Sequence, residues 1–367
     1  MATTTQPGAQ AKPATLPTKM LAAVYRGVND VRVETVPVPE IQAGELLVKI
    51  HTCGICGTDL KKISTGSHSS PRIFGHEMAG TVVKAGAGVS QFHEGDRVMV
   101  FHHIPCGKCY YCHFKVYAQC SVYKQVGASA GFEPSGGGFA EYIRVMDWIV
   151  KKGVVKIPDG VSFEQASFIE PVNTCLKAVE SLRLREGETV LVMGQGPIGI
   201  ILALLARREG TRVVSSDLYP QRLRIASSLG ITENINASTE NVEERIKMET
   251  EGRGADAVIV AVAGNGLIQP AMDSVRPGGR VLLFAQTVRS QVAIDPAAIC
   301  VDEKTLMGSY SASIDIQDAT VDYVFSGKAD LSKLISHRFG LKDAVEAIRV
   351  AANPQPDSMK IVIQPGI

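Results

Sequence analysis

The chain has 367 residues, enough for two domains of about 100 to 200 residues each. Its composition, with 45% hydrophobic and 20% charged residues, is typical of soluble globular proteins and argues against the disordered, fibrous and membrane classes. The formal net charge of +1 leaves no basic surplus to attract nucleic acid or an anionic membrane.

The N-terminal residues and the cysteines bear on where the protein works. Residues 1–18 are rich in Thr, Ala, Gln and Pro and lack the apolar core of a signal peptide, so they predict a disordered tail. The 8 cysteines are sparse for this length, and four of them lie too close together for easy pairing. We therefore expect reduced thiols and a cytoplasmic protein.

The first part of the chain has the pattern of a β domain. From 19 to about 160, short alternating apolar runs are interrupted by Gly and Pro, which predicts an irregular, mostly antiparallel structure. These runs are residues 21–25, 45–50, 79–85, 97–101 and 140–145.

From about 161 to 310, strand patterns alternate with helix patterns. This predicts βαβ units and a parallel sheet covered on both faces, which is an α/β fold. The predicted strands are 189–193, 212–216, 255–263 and 280–285, and the predicted helices are 198–208, 220–229 and 269–275. Residues 311–367 lack this alternation of strands and helices and are assigned to the first domain. The expected domains are therefore 19–160 with 311–367, and 161–310.

The stretch VLVMGQGPIG, residues 190–199, predicts a turn that binds a dinucleotide. Three glycines follow the G-x-G-x-x-G spacing between a predicted strand and a predicted helix. The first allows the tight turn, the second lets the backbone approach a pyrophosphate, and the third lets helix and strand pack closely, while the helix N-terminus attracts negative charge. The residues of this turn are Gly194, Gly196, Pro197, Ile198 and Gly199.

Asp217 follows at the end of the next predicted strand. An acidic residue there accepts hydrogen bonds from the adenosine ribose and repels a ribose phosphate, so the expected cofactor is NAD rather than NADP. Arg222 is a nearby cation that weakens this argument. The alternative is that these residues are ordinary turn glycines and a surface acid. The combination of strand, helix and acid disfavours it.

The stretch PCGKCYYCHFKVYAQC, residues 105–120, predicts a structural metal lobe. Its cysteines have the spacing C-x2-C-x2-C-x7-C, and four thiolates can hold one tetrahedral zinc ion with no open position. The competing interpretation is a nucleic-acid-binding finger, which the two lysines of the segment do not favour. The four predicted ligands are Cys106, Cys109, Cys112 and Cys120.

An earlier pair of segments, HTCGICGTD and FGHEMAG, supplies residues for an open metal site. Cys56, His76 and Glu77 offer a sulfur, an imidazole and a carboxylate, a mixed set that suits zinc with one position left free. Taken singly, a cysteine is more often a small buried residue and a His-Glu pair is more often polar surface.

Together these motifs resemble the zinc-dependent medium-chain alcohol dehydrogenase family. They are GICGTD, GHE, GDRV at 95–98, the four-cysteine lobe, and G-x-G-x-x-G with Asp217, and the resemblance runs from about Lys19 to the C-terminus. It implies a coenzyme domain of the Rossmann type and a GroES-like catalytic domain. The segment IEPVNT, with Glu170 before Pro171, resembles the sorbitol and threonine dehydrogenase branches.

The resemblance also implies roles for the residues of the open site. Cys56 and His76 match the ligands of the catalytic zinc. Glu77 matches the neighbouring carboxylate that binds the metal directly in the polyol branch. Glu170 matches a glutamate that binds zinc or holds its water.

Two further roles follow the same motif, with one departure. Thr58 matches the hydroxyl that touches the substrate oxygen, and Asp59 matches the acid that orients the zinc-bound imidazole. Many relatives have a histidine shortly after this pair that passes the proton outward, whereas residues 60–62 here are Leu, Lys and Lys. Proton exit is then expected through a water chain or Glu170.

The expected activity is oxidation of a secondary alcohol, with a polyol or sugar alcohol as the first substrate class and a threonine-like amino acid as the second. Zinc would make the alcohol proton easier to lose, and the nicotinamide of NAD would accept the hydride. A protein that binds zinc and NAD without turnover is the alternative from another class. Two zinc ions per chain and a homo-oligomer, with a tetramer favoured over a dimer, complete the expectations.

Overall fold

The computed structural model describes residues 16–123, 137–285 and 291–367. The predicted tail lies outside these ranges apart from 16–18. Within them the strands are β1 Lys19–Gly27, β2 Asp30–Pro37, β3 Leu46–Gly54, β4 Arg72–Ile73, β5 Glu77–Ala85, β6 Arg97–Val100, β7 Tyr142–Val145, β8 Val154–Lys156, β9 Thr189–Met193, β10 Arg212–Asp217, β11 Glu233–Asn236, β12 Ala255–Val260, β13 Val275–Leu283, β14 Thr305–Gly308, β15 Ile335–Phe339 and β16 Lys360–Ile363.

The helices of the same residues connect these strands. They are α1 Gly57–Thr65, α2 Tyr110–His113, α3 Asp147–Lys152, α4 Phe163–Ser167, α5 Ile169–Leu182, α6 Pro197–Arg208, α7 Pro220–Ser228, α8 Val242–Glu249, α9 Ile268–Ser274, α10 Pro296–Cys300, α11 Gln317–Phe325 and α12 Ala344–Ala352. Short 3₁₀ turns occupy Tyr117–Gln119, Asn265–Leu267, Ile314–Ile316, Leu331–Leu334 and Leu341–Asp343.

Six parallel strands form one sheet in the order β11-β10-β9-β12-β13-β14. The chain builds outward from β9 to β11 and then restarts on the other side of β9 with β12. Alternate residues of β9 belong to the two hydrophobic cores on either face of the sheet. Val190 and Val192 pack with the apolar face of α6. Leu191 and Met193 pack on the opposite face, in the core that contains Ile246. This doubly wound arrangement confirms the predicted α/β fold, and it places a ligand crevice at the carboxyl ends of β9 and β12.

The other large sheet has the order β15-β16-β3-β5-β6-β8, with β7 paired to β3. All its pairs are antiparallel except β15 with β16. Strand β16 lies beside β3, with Val362 opposite Gly54, so the C-terminal strands join the sheet that the N-terminal part of the chain forms. A small sheet, β2-β1-β4, stands next to it.

Helix α5 connects the two large sheets. It packs against α6 and contacts β5 of the antiparallel sheet and β13 of the parallel sheet. Its first turn carries Glu170, which is buried. The helix therefore holds this carboxyl group at the junction of the two sheets.

The apolar runs predicted at the sequence level overlap β1, β3, β5, β6 and β7. Strand β2 was not predicted, although Val31 and Val33 alternate with polar residues as in a half-buried strand. Strand β11 and helix α8 were not predicted either, because both are rich in polar residues. Helix α8, for example, has the sequence VEERIKME and buries only Ile246. A pattern based on apolar spacing has little to detect in such elements.

Candidate active site

A cavity of about 710 Å³ lies between the two large sheets. Its lining comes from both sides. Cys56, His76 and Glu170 line it from the antiparallel side, whereas Ala261 and Phe284 follow the carboxyl ends of β12 and β13 on the parallel side. A substrate held on one wall would thus face a coenzyme held on the other.

Cys56 is positioned by the start of α1. It is the N-cap residue of this helix, and its Sγ accepts a hydrogen bond from the backbone N–H of Thr58 at 3.5 Å. In return, Asp59 Oδ2 accepts from the backbone N–H of Cys56 at 3.2 Å. This reciprocal capping fixes the sulfur at the helix N-terminus, next to Thr58, which also lines the cavity.

His76 is oriented by the same aspartate. It lies directly before β5, and its Nδ1–H group donates to Asp59 Oδ1 at 3.1 Å, which leaves Nε2 for another partner. Burial raises the pKa of Asp59, but the charge of His76 and the hydrogen bonds lower it more, to a net value of about 2. The carboxylate therefore stays ionised and holds the imidazole in one tautomer.

Glu77 is the first residue of β5 and lies against a buried cation. Lys360 Nζ is 2.5 Å from Glu77 Oε2, and both side chains are almost fully buried. The lysine also donates to the backbone carbonyl of Ile55 at 3.3 Å. Because an unpaired buried charge is costly, the buried carboxylate of Glu77 and the buried ammonium group of Lys360 each need the other as a partner.

Three of the predicted metal ligands are brought together by these contacts. One ligand atom each of Cys56, His76 and Glu77 lies within 4.8 Å of the others. A thiolate, an imidazole and a carboxylate at such distances fit zinc, which uses this donor set and leaves a position open in catalytic sites. Among the described residues Glu170 is not part of this group, although it lines the same cavity. Its binding to the metal stays a prediction.

Glu170 instead faces a histidine. Its Oε1 is 3.4 Å from His103 Nδ1. Burial raises the pKa of Glu170 to about 7. The carboxyl group can therefore hold or release a proton near neutral pH, as a group that moves protons in an active site must.

The predicted coenzyme turn has the geometry that its glycines suggest. Gly194 has a φ of +94°, and a Cβ on Gly199 would lie 1.8 Å from the carbonyl oxygen of Gly194. A Cβ on Gly196 would meet no described protein atom within 4 Å, so contacts within the described part of the chain do not require a glycine at this position. Helix α6 begins with Pro197 and has no side-chain cap, which leaves its first N–H groups for a phosphate.

Asp217 ends β10 and lies beside this turn. Its Oδ2 accepts from the backbone N–H of Gln195 at 2.6 Å, and its Oδ1 accepts from that of Tyr219 at 2.8 Å. Arg222 Nη1 is 4.0 Å from Oδ2. The aspartate thus anchors the glycine turn to β10, and each oxygen keeps a second lone pair for a ribose hydroxyl.

The four cysteines of the lobe also come together. Their sulfur atoms lie within 4.8 Å of one another, with 3.5 Å between Cys109 and Cys112 and 3.9 Å between Cys106 and Cys112. Zinc bound tetrahedrally at 2.3 Å requires sulfurs about 3.8 Å apart. A backbone hydrogen bond from Lys108 lowers the pKa of the Cys106 thiol to about 6. The lobe fits a closed zinc site.

Several residues of the cavity were not predicted from the sequence. His68, His102, His103 and Tyr123 line it, and Lys360 supports it from the last strand. The only local signal was the histidine doublet directly before the cysteine lobe. His68 lies in the loop between α1 and β4.

Comparison with known proteins decides the family. The model described as "Alcohol dehydrogenase GroES-like domain" matches residues 42–159, and the model described as "Zinc-binding dehydrogenase" matches residues 197–325. A sorbitol dehydrogenase from Bacillus subtilis is 30% identical over 357 residues, which cover 96% of this chain and 99% of that protein. The chain belongs to the zinc-dependent medium-chain alcohol dehydrogenase family.

Other members of the family are similar over most of their length. An L-threonine 3-dehydrogenase from Rhizobium johnstonii is 31% identical over 86% of this chain and 91% of its own. The structure of a protein from Sinorhizobium meliloti, described as a zinc-binding dehydrogenase and bound to NADP, has a TM-score of 0.85 at 28% identity and covers 95% of this chain and 100% of its own.

Membership confirms the predicted family and enzyme class. As a zinc-dependent medium-chain alcohol dehydrogenase, the protein is an oxidoreductase that uses zinc and a nicotinamide coenzyme. In the described part of the chain, no helix combines the length and apolar character needed to cross a membrane.

Proposed function

We propose that the protein oxidises a secondary alcohol of the polyol or sugar-alcohol class with NAD. The observation that carries this proposal is the group of Cys56, His76 and Glu77 on one wall of a cavity whose other wall follows the carboxyl ends of the coenzyme sheet. The sorbitol dehydrogenase relative supports the substrate class.

Each residue of the site then has a proposed role in binding or catalysis. Cys56, His76 and Glu77 would hold zinc, and Asp59 orients the imidazole. Zinc, when bound, makes the hydroxyl proton of an alcohol easier to remove, and NAD accepts the hydride. Thr58 lies next to Cys56 and would hydrogen-bond the substrate oxygen.

Glu170 is proposed to take part in proton transfer or in metal binding. It lies in the same cavity as the metal group, and its pKa of about 7 suits exchange of a proton with water. The residues after Asp59 supply no histidine, but His68 and His102 of other segments line the cavity.

NAD is proposed as the coenzyme on the chemistry of Asp217. A buried carboxylate at the end of β10 favours a free ribose hydroxyl over a phosphate. Arg222 and the NADP in the Sinorhizobium meliloti protein favour the other coenzyme. The ratio of kcat/KM for NAD over NADP decides between them, and a ratio below one would contradict the assignment.

The first test is a substrate screen on protein with measured metal content. Absorbance of the reduced nicotinamide is followed with polyols, threonine and simple secondary alcohols, and two zinc ions per chain are expected. Threonine is the second candidate because a relative is an L-threonine 3-dehydrogenase, and Lys61 or Lys62 in the cavity could pair with its carboxylate. The fastest substrate class decides between the two.

The second test replaces the sulfur ligand. Cys56→Ala is expected to lower kcat by about 1,000-fold or more, because the catalytic metal supplies several kcal/mol of barrier lowering. Affinity for NAD should stay near the wild-type value. Cys300→Ala, at an exposed thiol remote from the motif, is the matched control and should leave both unchanged. Full activity of the Cys56 variant would refute the proposed role of the metal.

Organisation and location remain part of the proposal. The domain division at 160 and 310 is supported by the sheet membership of β14 and β15, although the second family match extends to residue 325. A homotetramer is supported by the edge strand β14, which pairs with β13 on one side only among the described residues. Cytoplasmic location is supported by the gathered thiols of the lobe.

A further inference from the structure

The two histidines that follow β6 form part of the cavity wall, and His103 has no role in the proposed oxidation. His102 is 4% exposed and His103 is 8% exposed, and both line the cavity. The Nδ1 atom of each has no hydrogen-bond partner among the residues that the structure describes. Buried polar atoms are nearly always paired, so these rings are suited to receive a polar ligand.

His103 is held in a fixed orientation. Its ring stacks on that of Tyr123, with centroids 5.0 Å apart and planes at 20°, and the edge of Phe101 lies against it at 5.5 Å. Glu170 Oε1 lies 3.4 Å from Nδ1, close enough for an electrostatic contact but not aligned as a hydrogen bond. A ring fixed by packing is a preorganised group for recognising a substrate.

Tyr123 is in turn fixed by the segment that follows β14. Its Oη is 2.5 Å from Ser311 Oγ and accepts from the backbone N–H of Ala312 at 3.2 Å. Tyr123 is therefore held in place at both its ring and its hydroxyl group, and it acts as a positioning residue for His103.

The chemistry of this wall suits a hydroxyl group. An imidazole nitrogen can donate a hydrogen bond to a hydroxyl oxygen or accept one from its O–H group, so the ring of His103 can bind a hydroxyl. The ring centroid of His103 is 6.0 Å from that of His76, so both face the same part of the cavity.

We propose that His103 contacts the substrate by hydrogen-bonding the hydroxyl on the carbon next to the reacting carbinol, and so selects vicinal diols over simple secondary alcohols. The inference rests on the proposed oxidation of secondary alcohols and adds the residue that recognises the second hydroxyl group of the substrate.

The test compares two alcohols that differ only in that hydroxyl, 2,3-butanediol and 2-butanol. In the wild type kcat/KM is expected to be higher for the diol. His103→Leu, which removes both nitrogens, is expected to lower this preference by about 10-fold. Its kcat/KM for 2-butanol should stay near the wild-type value. His103→Asn keeps a polar group near the position of Nδ1 and should restore part of the preference.

Tyr123 supplies the matched controls. Tyr123→Phe keeps the ring stacked on His103 and should keep the diol preference, whereas Tyr123→Leu removes the stacking and should lower it through a higher KM for the diol. Zinc content and thermal unfolding are measured for every variant, so that misfolding is recognised. If the butane alcohols turn over too slowly, the same ratios are taken from their inhibition constants against the best polyol.

The outcomes separate the two proposals. An equal loss for diol and mono-alcohol in His103→Leu, or a wild type without diol preference, would overturn the role of His103 while leaving secondary-alcohol oxidation intact. Failure of the wild type to oxidise any alcohol in the screen would instead overturn the proposed function.

Discussion

Asp59 shows how a single side chain organises the candidate metal site. Its two oxygens accept hydrogen bonds from the backbone of Cys56 and from the ring of His76. Two of the three proposed metal ligands, Cys56 and His76, are thus oriented by one buried carboxylate, the first through the start of α1 and the second across 17 residues of chain. Loss of this charge should disturb both ligands at once.

Asp59→Asn is expected to weaken zinc binding at the catalytic site by about 10- to 100-fold, because the neutral amide is a weaker acceptor for His76 Nδ1–H. The value of kcat should fall as the zinc content falls. The measurement is zinc content and kcat after dialysis against a series of chelator concentrations. Asp30→Asn, the same change in an exposed ion pair with Arg32, is the control and should behave as wild type. Unchanged chelator resistance of the Asp59 variant would contradict the orienting role.

At the scale of elements, the turn from β9 to α6 contains two glycines whose missing side chains would have different surroundings. A Cβ on Gly199 would meet the backbone of Gly194, whereas a Cβ on Gly196 would meet no described protein atom. Gly199 is therefore needed for the fold, whereas Gly196 is proposed to allow the approach of a ligand. The φ of Gly196 is −69°, which alanine adopts without strain.

Because of this difference, replacing each glycine by alanine should affect a different property, stability in one case and NAD binding in the other. Gly199→Ala should lower the free energy of unfolding by about 1–3 kcal/mol, as overpacking does. Gly196→Ala should leave stability near the wild-type value and weaken NAD binding, since the methyl group would occupy the path of the pyrophosphate. Thermal unfolding without coenzyme and NAD titration measure the two effects. Wild-type NAD affinity in Gly196→Ala would exclude the pyrophosphate from this turn.

Elements with strong local patterns were also those that the sequence predicted well. The strands β9, β10, β12 and β13 of the parallel sheet are mostly buried apolar runs, so their pattern identifies them. Polar edge elements such as β11 and α8 were missed, because their formation depends on packing against a neighbour rather than on their own apolar residues.

At the scale of the whole molecule, contacts distant in sequence join α4 to the C-terminal strands. Glu164 accepts two hydrogen bonds from Arg338 of β15, at 2.7 and 2.8 Å, and one from Gln364 at 2.7 Å. The hydrogen bond from Arg338 lowers the pKa of Glu164, although burial opposes it. The carboxylate therefore stabilises the folded protein only while it is ionised.

Glu164→Gln should lower the free energy of unfolding by about 1 kcal/mol at pH 7, a modest value because Arg338 is 43% exposed. Since the folded-state pKa is lowered, this stabilisation is fully present above the ordinary carboxyl pKa of about 4.3 and is lost as pH falls through the lowered value. Urea unfolding of both proteins at pH 7 and at lower pH measures the difference.

The control for this prediction is Glu346→Gln on α12. Its carboxylate also pairs with an arginine, Arg349, but the pair is exposed, so no measurable change in stability is expected at pH 7. A difference between wild type and Glu164→Gln that stays constant as pH falls would show that the charge of Glu164 does not stabilise the fold.

The sequence by itself determined the parts of this protein whose residues lie close together in the chain. The glycine turn, the four-cysteine lobe and the pairing of Cys56 with Asp59 are set by spacing and by local hydrogen bonds. The family follows from these motifs, because few unrelated chains carry all of them.

Only the tertiary structure decided which distant side chains complete the site. The contacts of Lys360 with Glu77, of His103 with Glu170 and of Tyr123 with Ser311 join segments that no local pattern relates. They form because packing the two sheets around α5 buries these polar groups together, and a buried polar or charged group requires a partner. The place of His102 and His103 in the cavity wall could therefore be recognised only in the folded chain.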